Sequence, residues 1–325
     1  MILTIEYTNR NGGMVLRTLL QEDIDYPELL KGIKNSPREL YVEGDVNCFD
    51  MPCVTVVGSR NMSEYGKKMT KKIVKDLVDA GVCIVSGLAV GIDTVAHETC
   101  LENGGKTIAV LGSGLHKVFP AENVGLFNRI IKSGGCVMSE QLPDEEAKKI
   151  YFPARNRIVS GLSLATLVIE AAYRSGTSIT AKFAFEQGKK VFCIPNSVGS
   201  KNSYGTIELI KKGATMITEG KEILCSLGLI YEGADYEQAM ELQKMNKARL
   251  IERELVKDLD ENTRRIYQYI KENVVCNSEI MCERLNMSIQ DVNFGLAVLE
   301  IKGVVLSKGG GNYCVCEEFF EGNRR

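Results

Sequence analysis

The feature that most constrains the fold is a series of short apolar runs separated by stretches of helical length. Each run is four or five residues long, rich in β-branched side chains and bounded by Gly, Ser or Pro. The runs begin at Cys53, Val82, Thr107, Cys136, Thr166 and Val191. Strands that are apolar on both faces belong in a sheet covered on both sides by helices. The alternation therefore predicts an α/β fold with an open parallel sheet.

Length and charge set the broad class of protein. The chain has 325 residues, with 40 Lys and Arg against 42 Asp and Glu, and this length suits roughly two domains. We expect no membrane association, because no apolar run reaches the roughly 20 residues needed to span a bilayer. The N-terminus lacks the features of a signal peptide, so we expect a cytoplasmic protein. The near-neutral balance excludes a polybasic nucleic-acid binder but allows one concentrated basic groove.

The cysteine and histidine content argues against a metal site. The chain has 11 cysteines but no Cys-x-x-Cys, and 2 histidines. We therefore expect most of the thiols to be small core residues, and neither a structural zinc ion nor disulfides.

The chain divides into four predicted segments: a lead-in at 1–50, the α/β domain at 51–225, a charged linker at 226–258 and a small domain at 259–318. The small domain shows three helices, the third at Ile289–Ile301, and then two short strands around a glycine-rich turn. This order predicts a winged helix. The third helix has no Lys or Arg, so strong duplex binding is not expected. Two roles of the small domain remain open: docking to a protein partner, and a weak DNA contact through Lys308.

Three strand-to-helix turns carry the glycines expected of an anion-binding edge. The residues concerned are Gly58, Ser59 and Arg60 in the first turn, Ser86, Gly87 and Gly91 in the second, and Gly112 and Gly114 in the third. Glycine lets the backbone approach a phosphate closely, and helix N-termini offer free N–H groups. The turns lack the Gly-x-Gly-x-x-Gly pattern of dinucleotide folds. Together they predict a long phosphate-binding groove, and no cofactor is expected.

A catalytic interpretation rests on Ser86, Asp93 and His97. Asp93 and His97 would lie one helical turn apart on the same face. However, Ser86 lacks the Gly-x-Ser-x-Gly elbow of a hydrolase nucleophile. Such Asp and His residues more often fix a helix N-terminus by local hydrogen bonds, so we expect no catalytic residue and no enzyme activity.

The densest cluster of basic and aromatic residues lies between the fourth and fifth apolar runs. Its candidate site residues are Lys149, Phe152, Arg155, Asn156 and Arg157. Binding of a single strand without sequence preference requires cations that contact phosphates, next to aromatic rings on which bases stack. This cluster predicts binding of single-stranded DNA.

These segments together resemble the DNA processing protein A family (DprA, also called Smf). The resemblance covers about residues 25–225 and rests on Val57-Gly-Ser-Arg60, Ser86-Gly-Leu-Ala-Val-Gly-Ile-Asp93 and Phe152-Pro-Ala-Arg-Asn-Arg157. It implies an extended Rossmann domain that forms a homodimer and a protein that binds incoming single-stranded DNA during natural transformation and loads the RecA recombinase onto it. By motif, Arg60 and the backbone at Gly58, Gly87 and Gly112 would hold phosphates, Lys149 would be a basic contact and Phe152 would stack a base.

Two alternatives to this function remain. The first is a Rossmann-like sensor or enzyme that acts on a small nucleotide; Ser175-Gly-Thr177 lacks the preceding Pro-Gly-Gly that is typical of that class. The second is a transcriptional regulator, which the acidic third helix of the small domain disfavours. Pro195-Asn196 also departs from the Pro-Gly common in the family, at the sheet edge where the dimer face is expected.

Overall fold

The computed structural model describes residues 16–172, 175–230, 259–273 and 276–316. The chain forms two compact units, Met1–Ala234 and Asp235–Arg325. Most of the predicted charged linker, residues 231–258, lies outside the described residues.

The first unit is built on a nine-stranded sheet with the order β1-β2-β6-β5-β4-β3-β7-β8-β9. All neighbours from β6 to β9 in this order are parallel. The predicted fold class, an α/β protein with a Rossmann-like, mostly parallel sheet, is therefore confirmed. The strands are β1 Arg17–Leu20, β2 Glu39–Gly44, β3 Cys53–Val57, β4 Cys83–Ser86, β5 Thr107–Leu111, β6 Cys136–Ser139, β7 Ala165–Val168, β8 Lys190–Cys193 and β9 Thr215–Met216.

The lead-in contributes to this sheet. Strand β2 pairs with β6 in antiparallel register, Tyr41 opposite Ser139, and β1 pairs with β2 in the same sense. The sequence pattern separates residues 1–50 from the α/β domain. The structure instead shows the described part of that segment extending the sheet by two strands.

Helices cover both faces of the sheet. On β3, Val54 and Val56 pack with residues of α2 and α3, whereas Cys53 and Val57 lie in the cluster that contains residues of α5 and α6. This two-sided burial explains the continuous apolar runs. The helices are α1 Glu28–Lys31, α2 Glu64–Asp79, α3 Ile92–Glu102, α4 Val124–Lys132, α5 Tyr151–Gly161, α6 Gly176–Glu186, α7 Tyr204–Lys211 and α8 Gly220–Ser226, with short 3-10 helices at Val46–Asp50 and Ala121–Asn123.

The second unit has the order of elements predicted for a winged helix. It consists of α9 Glu261–Glu272, β10 Cys276–Asn277, α10 Ser278–Leu285, α11 Ile289–Ile301, β11 Val305–Gly309 and β12 Asn312–Val315. The side chains of Asn277 and Ser288 cap α10 and α11 by accepting backbone N–H bonds. Three strands form one sheet in the order β10-β12-β11.

In the described parts of the chain, no helix is both long and apolar enough to cross a membrane.

Candidate functional site

The site lies where the strand order of the large sheet reverses. Strand β3 has β4 on one side and β7 on the other. The chain therefore continues from β3 to β4 in one half of the sheet and from β7 to β8 in the other half. Such a switch point opens a crevice at the carboxyl ends of the strands, where ligands bind in open α/β sheets. A pocket of about 670 Å³ occupies this crevice, and residues of the loops after β3, β4 and β7 line it.

The pocket brings together most of the residues predicted to bind DNA. Those that line it are Gly58, Ser59, Arg60, Gly87, Lys149, Phe152, Arg155 and Asn156. The remaining predicted residues, Ser86, Gly91, Gly112, Gly114 and Arg157, do not line it.

An exposed cation and two aromatic rings form one wall of the pocket. The guanidinium carbon of Arg60 lies 5.8 Å from the centre of the Phe152 ring. That ring lies 5.5 Å from the ring of Phe119, tilted by 51°. Lys149 is exposed in the turn just before α5. This wall offers positive charge and open aromatic surface side by side, the combination that single-stranded nucleic acid requires.

The opposite wall carries the N-terminus of α6. Ser175 caps this helix by accepting a hydrogen bond from the Ser178 N–H, and Gly176 has no neighbour within 4 Å of where a Cβ would stand. The hydroxyl of Thr177 donates to the carbonyl oxygen of Gly58 at 2.9 Å, which ties the helix to the loop after β3. Free N–H groups at a helix N-terminus favour a phosphate.

Two buried residues of opposite charge, Asp93 and Arg155, fix the loop after β4. The Asp93 carboxylate accepts bonds from the N–H groups of Gly87 at 3.1 Å and Ala89 at 3.4 Å. The Arg155 guanidinium donates to the carbonyl oxygens of Gly87, at 2.8 Å, and Val110. Burial raises the pKa of Asp93, and the charge of Arg155 opposes that shift. Burial lowers the pKa of Arg155 to about 10, so the guanidinium stays charged at neutral pH and holds two strand-end loops together.

This arrangement gives Arg155 a different position from the one that its motif suggests. We predicted a DNA contact, but the residue is only 7% exposed and its described hydrogen bonds are made within the protein. Asn156 is half-buried and donates to the Gly176 carbonyl at 3.2 Å, linking α5 to α6. Both residues thus support the pocket from its floor.

The other predicted residues lie behind or beside the pocket. The Ser86 hydroxyl is buried and donates to the Val56 carbonyl. Gly91 has φ +88° and lies against the backbone of the loop after β3, where a side chain would not fit. Gly112 packs against the Phe152 ring, and Gly114 against the backbone of 142–143. Arg157 lies in a separate polar groove, where it donates to the Asn35 carbonyl and to Glu140.

The three residues of the catalytic alternative are engaged elsewhere. The Ser86 hydroxyl donates to the Val56 carbonyl. The Asp93 carboxylate accepts from N–H groups of the loop after β4. His97 Nδ1 lies 2.7 Å from the Thr107 hydroxyl, which itself donates to the Ile84 carbonyl. Nδ1 must therefore carry the proton. Burial, together with the charge of Arg155, lowers the pKa of His97 to about 3, so the ring is neutral and has a structural role.

Sequence reasoning missed Phe119 and Thr177 as pocket residues. Phe119 is 48% exposed although it is a large aromatic. Lys117 is the one lysine or arginine near it in the sequence, so Phe119 does not belong to a dense basic and aromatic cluster like the one around Phe152. An exposed Phe-Pro pair in a loop that follows a strand would have been the available signal.

Comparisons with known proteins agree with these features. The model of the family described as DNA recombination-mediator protein A matches residues 17–228. Protein Smf of Synechocystis sp. is 37% identical over 316 residues, which cover 91% of this chain and 79% of that protein. The crystal structure of DNA processing protein A from Streptococcus pneumoniae matches with a TM-score of 0.62 and 42% identity over 65% of this chain and 74% of that one.

A structure of DNA processing protein A from Helicobacter pylori, described in terms of its single-stranded DNA binding mode, matches with a TM-score of 0.59 and 30% identity. The matched region covers 66% of this chain and 97% of the Helicobacter pylori chain. The length of the family match, the level of identity and the shared fold lead to one conclusion: the chain belongs to the DNA recombination-mediator protein A family, as its motifs predicted.

Proposed function

We propose that this protein binds single-stranded DNA along the carboxyl edge of its large sheet, in the cytoplasm, and loads the RecA recombinase onto it during natural transformation. The single observation that carries the proposal is the contact of Arg60 with Phe152, beside Phe119, at the mouth of the pocket. Here an exposed cation lies over a half-buried aromatic ring, which in turn contacts an exposed one.

The pocket suits a strand rather than a mononucleotide. Arg60, Lys149 and the N-terminus of α6 lie along its walls, so they offer phosphate contacts at several points of one groove. Phe119 and Phe152 present rings on which unpaired bases can stack. A duplex keeps its bases stacked on each other, so the same rings favour a single strand.

The mode of action is binding rather than catalysis. Ser86, Asp93 and His97 each hold a strand-end loop or the sheet in place, and Arg155 is neutralised by Asp93 inside the fold. The described residues of the pocket therefore offer contacts to a ligand rather than a paired nucleophile and base. The family relationship supports a role in DNA recombination, and the named Helicobacter protein supports single-stranded DNA as the ligand.

RecA loading and homodimer formation are the finer parts of the proposal, and they rest on family membership. We infer that two copies hold one strand and expose it to RecA. Sedimentation of the protein at micromolar concentration tests the dimer. The rate of RecA assembly on a strand coated with single-strand-binding protein tests the loading, and a rate that this protein does not increase would contradict it.

The primary test is a titration of a fluorescent oligo-dT and of its duplex form across a series of salt concentrations. We expect tight binding of the single strand, weakened by salt because phosphate contacts release counterions, and much weaker binding of the duplex. Arg129 on α4 is exposed and pairs with Glu98, so Arg129→Ala serves as a control for Arg60→Ala. Equal or absent binding of the two DNA forms would refute the proposal.

A further inference from the structure

The outer side of α2 carries a concentration of positive charge that the pocket does not use. The lysines of this helix, which we call the lysine face, are Lys67, Lys68, Lys71, Lys72 and Lys75. Lys67 is half-buried and the others are exposed, whereas the opposite side of the helix is apolar and packs in the core. Lysines four residues apart are separated by about 6 Å along the helix axis. The face is therefore a track of positive charge rather than a single point.

Most of this charge is not balanced within the fold. Lys75 pairs with Asp79, and Lys72 donates to the Thr218 carbonyl at 3.3 Å. In the part of the chain that the structure describes, the side chains of the other three lysines have no hydrogen bond or ion pair. The lysine face can therefore bind an anion without breaking a contact of the fold at these three positions.

The charges of α2 are not arranged to stabilise the helix itself. The dipole of a helix favours basic residues in the last turn, but the last turn of α2 holds Asp76 and Asp79 and no basic residue. Lysines four residues apart, such as Lys67 and Lys71, repel each other. The arrangement thus has a small cost in folding free energy, which an anion bound along the helix offsets.

The lysine face begins next to the pocket. Arg60 and Asn61 line the pocket, and α2 begins three residues after Asn61. In its first turn, Tyr65 is 41% exposed and its hydroxyl donates to the Pro195 carbonyl at 2.8 Å. Tyr65 and Lys68 are three residues apart and so share one side of the helix. An exposed ring beside unpaired cations favours a single strand over a duplex or an acidic protein, because unpaired bases can stack on the ring.

We propose that a strand leaving the pocket at Arg60 continues along the lysine face of α2, which binds its phosphates as an extension of the groove. The inference rests on the proposed binding of single-stranded DNA and adds a second surface to it. Contacts to phosphates carry little base information, so the extension acts on all sequences alike. It makes the affinity depend on strand length, because a short strand fills only the pocket and a longer one also reaches the lysines.

The test compares oligo-dT strands of two lengths, about 6 and about 30 nucleotides, across a series of salt concentrations. The variant Lys68→Gln/Lys71→Gln removes two exposed cations that have no partner in the fold. For the long strand, the slope of log affinity against log salt should become shallower by about 1.4, since each contact to a single-strand phosphate contributes about 0.7. For the short strand, slope and affinity should stay at the wild-type values. The thermal unfolding temperature of the variant should not fall, because the change relieves repulsion between lysines.

The matched control is Arg129→Gln/Lys132→Gln, which removes two exposed cations with the same spacing from α4. It should keep the wild-type slopes for both strands. A long-strand slope that is unchanged in Lys68→Gln/Lys71→Gln would overturn the inference and leave binding at the pocket intact. An equal loss for both lengths, or a loss confined to a duplex, would overturn it as well. Failure of the wild type to bind either strand would overturn both this inference and the proposed function.

Discussion

The guanidinium of Arg60 lies over the ring of Phe152, with its central carbon 5.8 Å from the ring centre. The two residues come from different elements: Arg60 follows β3, and Phe152 opens α5. Both residues line the pocket, and the Phe152 ring also lies 5.5 Å from the ring of Phe119. A cation and two aromatic rings are therefore held together in one structural unit.

Arg60→Ala should weaken single-strand binding equally for all base sequences, because phosphate contacts carry little sequence information. The slope of log affinity against log salt should also fall by about one contact. Fluorescence anisotropy of several oligonucleotides over a salt series measures both quantities. A loss of affinity confined to one base sequence would show that Arg60 reads bases instead.

Phe152→Ala should reduce the affinity for a single strand by about 1–3 kcal/mol, the usual contribution of one stacked base. Phe152→Tyr keeps the ring and should bind nearly as well as the wild type. Both affinities are measured at one salt concentration. Since Gly112 packs against this ring, thermal unfolding of both variants must accompany the titration, and a folded Ala variant with wild-type affinity would exclude stacking.

Arg155→Met should destabilise the fold by about 3–5 kcal/mol, because it leaves the buried Asp93 carboxylate without its counter-charge. The double variant Arg155→Met/Asp93→Asn removes both charges and should lose less. Urea denaturation gives the free energy of unfolding for each. If the single variant is as stable as the wild type but binds DNA weakly, Arg155 contacts the ligand rather than positioning the loop after β4.

His97 should make stability depend on pH. Its folded pKa, about 3, lies below the ordinary histidine value of 6.5. Its contribution to stability is therefore complete above pH 6.5 and is lost as the pH falls, because the unfolded chain takes up the proton first. Between pH 6.5 and about pH 5 the loss should be roughly 1.5 kcal/mol. Denaturation of the wild type and of His97→Gln at both pH values checks this, and equal pH slopes would contradict it.

Glu170→Gln should destabilise the protein by about 1.5–3 kcal/mol, the value of hydrogen bonds to a charged group. The buried carboxylate accepts bonds from the Ser63 N–H and from the Asn202 amide, both at 3.0 Å, and an amide nitrogen in its place would face donors. Asn202 in turn donates to Asn61 beside Arg60, so DNA affinity should fall as well. Glu208→Gln, at a residue of α7 whose side chain is 47% exposed, is the control. It should change neither the free energy of unfolding, measured by urea denaturation, nor the DNA affinity, measured by titration.

Local pattern was enough to predict most of the fold. The apolar runs from Cys53 to Ile194 became β3 to β8 with end points shifted by at most one residue, and Ile289–Ile301 is a helix with the predicted bounds. These elements are encoded by neighbouring residues: β-branched runs for buried strands, and polar caps such as Ser288 for helices. Strand β2 was not predicted because its sequence, Glu39-Leu-Tyr-Val-Glu-Gly44, has only three apolar residues between two glutamates and so shows no apolar run of four or five.

The candidate site, like the fold, was predicted only in part from the sequence. The sequence by itself determined the glycine turns, the cations and Phe152, because their chemistry is visible in single motifs. Only the tertiary structure separated Arg60, which is exposed at the pocket, from Arg155, which is buried against Asp93. It also placed Phe119 beside Phe152. Strand order and long-range packing decide which loops meet at the switch point, and the sequence of any one loop does not contain that information.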